Sequence, residues 1–285
     1  MSKLIMIVWD VQHGNAIYMR TPNGINIMFD IGTGSYGEGE EFSPLRYLKI
    51  KNTNFKLDYL VISHPHADHI SDIKNMVDLE LKPKVLSRPK GLSEEFIKDS
   101  NRKEDSELVE LYLDLDRKYT APVPDNENPR LPQNNGGVKI DIFSQTERGT
   151  SNLNNYSLVA VVQYSGQKII LPGDIEEPGW KALLDNEEFV KALSGTTIFV
   201  ASHHGRESGY CSDIFNHFKP DIVIISDGRF SDTSATNRYY YHSNGAEVIK
   251  RDDGSKKKRY VLTTRKDGVI RISIDENGER KITIS

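Results

Sequence analysis

Sulfur ligands are almost absent from this 285-residue chain. Cys211 is its one cysteine, which excludes an intramolecular disulfide and a thiolate metal cluster and fits a reducing compartment. No apolar run approaches the roughly 18 residues of a membrane-crossing helix. The short run at the N-terminus stops at Asp10 without an Ala-x-Ala cleavage pattern, so it reads as a first β-strand and not as a secretion signal. Net positive charge is lacking too. A formal charge of −4 and a pI near 6.1 leave no global field to draw the molecule to nucleic acid or membrane, so any polyanion contact must be local. A cytoplasmic protein without membrane contact is the expectation. No fixed-period repeat or biased linker divides residues 1–285, and 37% apolar with 27% charged residues is ordinary for a globular chain, so a single domain is expected. Nothing in the sequence fixes an oligomeric state.

What is present is an alternation of strand and helix patterns. "KLIMIVWDV", "AIYMRT" and "INIMFDIG" read as strands, "PLRYLKI" as a helix and "LDYLVI" as a buried strand, followed by a helix over "HADHISDIKNMV". Between Gly91 and Tyr119 the pattern predicts a charged covering helix with Leu108, Leu111 and Leu115 on one face. "TAPVPDNENPRLPQNNGG" reads as a long surface loop, a lid or a passive excursion. Strands return at "VKIDIF", "SLVAVVQY" and "KIILPGD". They are followed by a helix over "EPGWKALLDNEEFVKAL", a strand "TIFVAS", a helix "YCSDIFNHF", a strand "DIVIIS" and the terminal strands "RYVLTT", "VIRISID" and "KITIS". Two sheets packed face to face with helices outside would bury all of this around one core.

Three of the eight histidines fall within "SHPHADHI", directly after the buried strand. Imidazole and carboxylate groups are the donors that hold a divalent transition metal. His64 and His66 can reach one ion while Asp68 and His69 reach a neighbouring one. Asp174 in "LPGD" ends another strand, where a carboxylate can bridge two cations, although Gly-Asp after a strand is also a common turn. His203 and His204 end the strand "TIFVAS". His203 is chosen as the further ligand, and His204 as an outer hydrogen-bond donor or proton carrier.

The motif "HPHADH" resembles the HxHxDH signature of the metallo-β-lactamase superfamily. The motifs around it are similar to one branch, the hydrolase domain of ComEC-type competence proteins: "DVQHGNA", "FDIG", "NNYSLV", "LPGDIE", "SHHG", "YYYHS" and "TTRKDGVI" follow that branch's order from Asp10 to Ile270. The resemblance implies an α/β (α+β) fold, the four-layer αββα sandwich, with the metal site at one edge of the two sheets. It implies one or two divalent ions per chain, zinc or manganese, and hydrolysis of phosphodiesters in nucleic acid as substrate. Hydrolysis of a carboxylic ester, lactone or thioester is the alternative reaction, and a non-catalytic binding protein with a structural metal site the alternative class.

Two departures from the pattern stand out. No histidine occurs from Ser71 to Gly173, where many members carry a further ligand. The first ion would then rest on His64, His66 and a bridging Asp174. Asn154 and Asn155 occupy that region, Asn154 as a hydrogen-bond donor to substrate or loop or simply as an Asx turn, Asn155 as a further substrate contact. In "DVQHGNA" a histidine, His13, and an asparagine, Asn15, replace the branch's Gln and Asp, and His13 reads more readily as solvated than as functional. Asp10 and Asp30, each at a strand end, are placed to orient the liganding histidines. Asp68 would orient the attacking water as well as bind metal. Lys256, Lys257, Lys258 and Arg259 form either a solvated edge or a phosphate contact. His242 and the tyrosines before it could meet bases or fill the sandwich edge.

Overall fold

The computed structural model describes residues 2–34, 41–145, 151–228 and 233–285. In chain order its regular elements begin with β1 Leu4–Val8, β2 Ala16–Arg20, β3 Asn26–Ile31, α1 Pro44–Lys51, β4 Tyr59–Val61, α2 Ala67–Ile70, α3 Ile73–Asp78, β5 Val85–Ser87, α4 Glu94–Asp99 and α5 Ser106–Lys118. The second half has β6 Lys139–Phe143, β7 Val159–Tyr164, β8 Gln167–Leu171, α6 Glu177–Leu184, α7 Glu187–Leu193, β9 Ile198–Val200, β10 Ile222–Ile225 and α8 Thr236–Tyr241. It closes with β11 Ala246–Lys250, β12 Lys256–Arg259, β13 Val261–Thr263, α9 Thr264–Asp267, β14 Ile270–Ile274 and β15 Arg280–Ile284.

Among the described residues one sheet orders its strands β12-β11-β15-β14-β1-β2-β3-β4-β5 and the other β13-β10-β9-β8-β7-β6. The central strands β2 to β4 and β7 to β10 are covered on both faces and read as nearly continuous apolar runs, whereas β11, β14 and β15 keep one more exposed face and alternate. The alternation of side chains sorts each strand between two cores. In β2, Ile17 and Met19 enter the core between the sheets while Ala16 and Tyr18 face the helices of the first outer layer. In β7, Ala160 and Val162 face inward, and Val159 and Val161 meet Trp180 of α6 and Phe189 of α7. The layers are therefore helix, sheet, sheet, helix.

Several expected helices are interrupted, and polar caps are the reason. Asn186 accepts from the backbone of Glu188 and Phe189 and restarts the chain as α7. The stretch from Gly91 to Tyr119 contains two helices, α4, which Ser93 caps at its start, and α5, separated by residues 100–105. The buried face of α5 runs through Val109, Tyr112, Leu113 and Leu115, with Leu108 and Leu111 only partly covered. "YCSDIFNHF" yields only a 3₁₀ turn at Asp213–Asn216. The Pro/Asn-rich loop is no lid. It is tied to the turn between β2 and β3 by Asn23 donating to the Asn134 carbonyl at 2.9 Å, at the sheet end opposite to the polar motifs.

Parallel β3, β4 and β5 and parallel β8, β9, β10 and β13 point their C-terminal ends the same way. The loops leaving β3, β4, β8 and β9 therefore meet at one end of the sandwich. Close backbone approach there requires glycine. A Cβ on Gly173, whose φ is +60°, would sit 2.5 Å from Ser63 Cβ.

Candidate metal centre

The loop from β4 to α2 carries His64, His66, Asp68 and His69, and it is fixed from both sides. Asn101, just beyond α4, accepts from Ala67 N–H at 3.0 Å and donates to the Pro65 carbonyl at 2.9 Å. Asp30, at the end of β3, accepts from Ser63 N–H at 2.6 Å and Ser63 O–H at 2.8 Å. Its Oδ2 also lies 2.8 Å from His69 Nδ1, so that His69 turns its Nε2 toward Asp174 Oδ1 at 3.2 Å. Asn15 donates to the same Asp30 oxygen at 2.9 Å. Asp10 accepts from Gln12 N–H at 3.2 Å, and burial raises its pKa.

Asp68, His69, Asp174 and His204 each offer one ligand atom, and these atoms all lie within 4.8 Å of one another. His204 Nε2 is 3.2 Å from Asp174 Oδ2 and 3.3 Å from Asp68 Oδ2. Its Nδ1 faces the Ser226 carbonyl at 3.0 Å. Yet among the described residues the buried Nε2 atoms of His69 and His204 have no hydrogen-bond partner. Imidazole and carboxylate atoms this close, without mutual hydrogen bonds, converge on a common point, and the set is the donor set of a divalent cation. The residues fit the group.

Beside this cluster His64 Nε2 and His66 Nδ1 face each other at 2.9 Å. Asn154 stands next to them, its buried carboxamide oxygen without a hydrogen-bond partner among the described residues, its amide donating to Glu176 Oε1 at 3.0 Å. The two halves differ electrically. Burial opposes charge on His69 and His204, but the carboxylates of Asp174, Asp30 and Asp68 hold His69 well above the ordinary imidazole range, and Asp174 and Asp68 raise His204 to about 10. His64 is pushed well below that range by burial and by its His69 and His66 neighbours, and burial lowers His66.

The adjacent histidines take different places from those expected. His204 joins the ligand cluster, whereas His203 has Nε2 3.9 Å from Asp174 and Nδ1 facing Ser208 Oγ at 2.8 Å and Glu176 Oε1 at 3.2 Å. Both have positive φ, 49° and 53°, and so do Gln12 and Asp30, 57° and 56°, which gathers strained backbone around the centre.

His13 is not merely solvated. Half exposed, it sits with its ring 4.8 Å from that of His204 and its Nε2 3.6 Å from Asp68, and Arg206 reaches it at 3.4 Å. A cleft of about 340 Å³ opens here, lined by His13, His66, Asp68, Asn101 and Arg102 among others. Glu176, Asn101 and Arg206 carried no signal in the sequence beyond their position near the motifs.

The remaining expected contacts lie elsewhere. The Asn155 carboxamide oxygen accepts from the N–H groups of Glu176 and Gly179 and organises the start of α6, so it serves the helix and not a substrate. His242 is engaged by the Tyr210 hydroxyl at 2.6 Å and stacks on Phe215 at 4.2 Å. Of the cations on β12, Lys256 pairs with Glu247 at 3.0 Å and Arg259 binds both oxygens of Asp267 at 2.8 and 3.0 Å. β12 is an edge strand four positions from β1, about 19 Å at the usual strand spacing.

The family model of the metallo-beta-lactamase superfamily matches residues 9–211. The chain belongs to this superfamily. It is similar to Recombination protein 2 of Haemophilus influenzae, 25% identical over 224 residues, which cover 78% of this chain and 24% of that protein. The chain thus spans about a quarter of the length of the curated relative it matches. Among solved structures a mutant of the CmlA beta-hydroxylase superposes with a TM-score of 0.53 at 10% identity, over 94% of this chain and 53% of that one. A diphosphatase of the PhnP family gives 0.42 at 11%, over 89% and 82%. These are likenesses of fold. Superfamily membership and the converging ligand atoms make the chain a metal-dependent hydrolase. No described helix is long and apolar enough to cross a membrane.

Proposed function

We propose that this hydrolase is a phosphodiesterase acting on nucleic acid. The observation that carries the reading is Arg206. Its guanidinium meets His13, itself beside Asp68 and His204, at 3.4 Å, with no carboxylate within ion-pair distance among the described residues. A phosphodiester brings an anion that a guanidinium can grip, whereas a neutral carboxylic ester, lactone or thioester does not. The similarity to a protein named for recombination supports nucleic acid as the source of that phosphodiester.

In this reading His64, His66, Asn154 and Asp174 would hold one divalent ion, zinc or manganese, and Asp68, His69, Asp174 and His204 the other. Such ions would supply Lewis acidity toward the phosphoryl group and a lowered pKa, towards about 7, for water. Asp68, partly exposed to the cleft, accepts a hydrogen bond from the attacking water and aims it at phosphorus. Arg206 takes the non-bridging oxygens. His203, anchored through Nδ1 by Glu176 and Ser208, delivers a proton from Nε2 to the leaving oxygen as the phosphorus–oxygen bond breaks.

The test is metal analysis of the purified chain, followed by incubation with single- and double-stranded DNA and RNA, bis(p-nitrophenyl) phosphate and p-nitrophenyl acetate under zinc and manganese. Phosphodiester turnover that chelation abolishes and metal restores is expected. Turnover of the acetate alone would contradict the substrate class, and tight metal with no turnover would leave the chain a binding protein.

A further inference from the structure

The tyrosine triplet and the basic run, distant in sequence and unused by the centre, meet on the surface. The Tyr240 ring packs against Tyr260 with centroids 4.6 Å apart, Tyr241 stands edge-on to Tyr240 at 5.6 Å, and Lys258 Nζ lies 5.4 Å over the Tyr260 ring. Tyr239 is buried at 1% exposure, but Tyr240 is 46% and Tyr241 77% exposed. With Lys256 and Arg259 engaged by Glu247 and Asp267, and Lys257 turned to the other face of the strand, Lys258 is the cation of the run that stands beside the tyrosines without a carboxylate partner among the described residues. Lysines on an edge strand are explained by the need to keep that edge from pairing. Two exposed aromatic rings beside them are not, because they add apolar surface to the same edge.

The position of the patch suggests its partner. Ala235 N–H donates to the Gly205 carbonyl at 2.8 Å, so α8 starts against the loop that carries His204 and Arg206 and ends at Tyr241. Its six residues span about 9 Å. Exposed rings interleaved with free cations bind a strand whose bases are unstacked, and the bases of a duplex are already occupied with one another.

We propose that Tyr240, Tyr241 and Tyr260, with Lys258, form a docking face for single-stranded nucleic acid a few nucleotides from the metal centre. This rests on the phosphodiesterase reading. The rings stack on bases without regard to sequence, and Lys258 takes a phosphate.

Fluorescence anisotropy of a labelled single-stranded phosphorothioate oligonucleotide, which resists cleavage, tests the face on the full chain. Tyr241→Ala should weaken single-strand binding by about five- to a hundredfold, and Tyr241→Phe should restore it. Replacing Lys258 by Gln should lower the slope of log K against log salt by about 0.7, the contribution of one single-strand phosphate contact. Wild-type affinity in Tyr241→Ala, or equal affinity for duplex and single strand, would overturn the face. If the wild type hydrolyses bis(p-nitrophenyl) phosphate but Tyr241→Ala binds normally, the face alone fails. If single strands bind through Tyr241 yet no phosphodiester is hydrolysed, the face stands and the phosphodiesterase reading fails.

Discussion

In the proposed reading the two halves of the metal centre share Asp174, and they differ in nearly everything else. Around His69 and His204 stand Asp68 and Asp30, with ring nitrogens buried and unsatisfied. Around His64 and His66 stands Asn154, a neutral amide. Carboxylates neutralise a dication and an amide does not, so the first half should fill before the second. On that reading a single fold edge would provide two unequal positions.

The largest break in that comparison is Asp174→Asn, which removes the negative charge common to both halves. Both ions should be lost, along with several kcal/mol of transition-state stabilisation, about a thousandfold in rate. Metal analysis beside steady-state kinetics checks it. His203→Ala should instead lower kcat by about 10²–10⁴ while both ions remain, as expected of a proton donor outside the ligand set. Loss of one ion in that variant would return His203 to the ligands. Asp30→Asn sharpens the contrast, because it should weaken metal in the His69 half by about 10–100-fold and leave the His64 half untouched in a competition titration. Smallest of all, Asn154→His should tighten the His64 half by about fivefold, roughly 1 kcal/mol, and bring the two affinities together.

Much of this was legible in the sequence. The strands could be read because each buries at least one face in a core, as continuous runs in the centre and as alternation in β11, β14 and β15, and the polar motif from His64 to His69 stood out because it follows a buried strand directly. The helix breaks were hidden because a cap such as Asn186 or Ser93 looks like any polar helix residue until its side chain turns back on the backbone. Choosing between His203 and His204 was beyond sequence reasoning for a different reason. The path of the loop after β9, not the order of the two residues, decides which ring faces Asp174. His13 was undervalued because its turn gains meaning only when the chain brings Arg206 across to it. The tyrosine triplet divides into one buried and two exposed rings because a helix rotates successive residues by about 100°.

The central claim, that the carboxylate-rich half is the tighter position and is completed by His204, is tested most directly by giving metal-free wild type, His66→Ala and His204→Ala one equivalent of zinc and measuring what each retains after dialysis. Retention near one ion by wild type and His66→Ala, with a marked loss in His204→Ala, is predicted. Retention by His204→Ala with loss in His66→Ala would contradict the account.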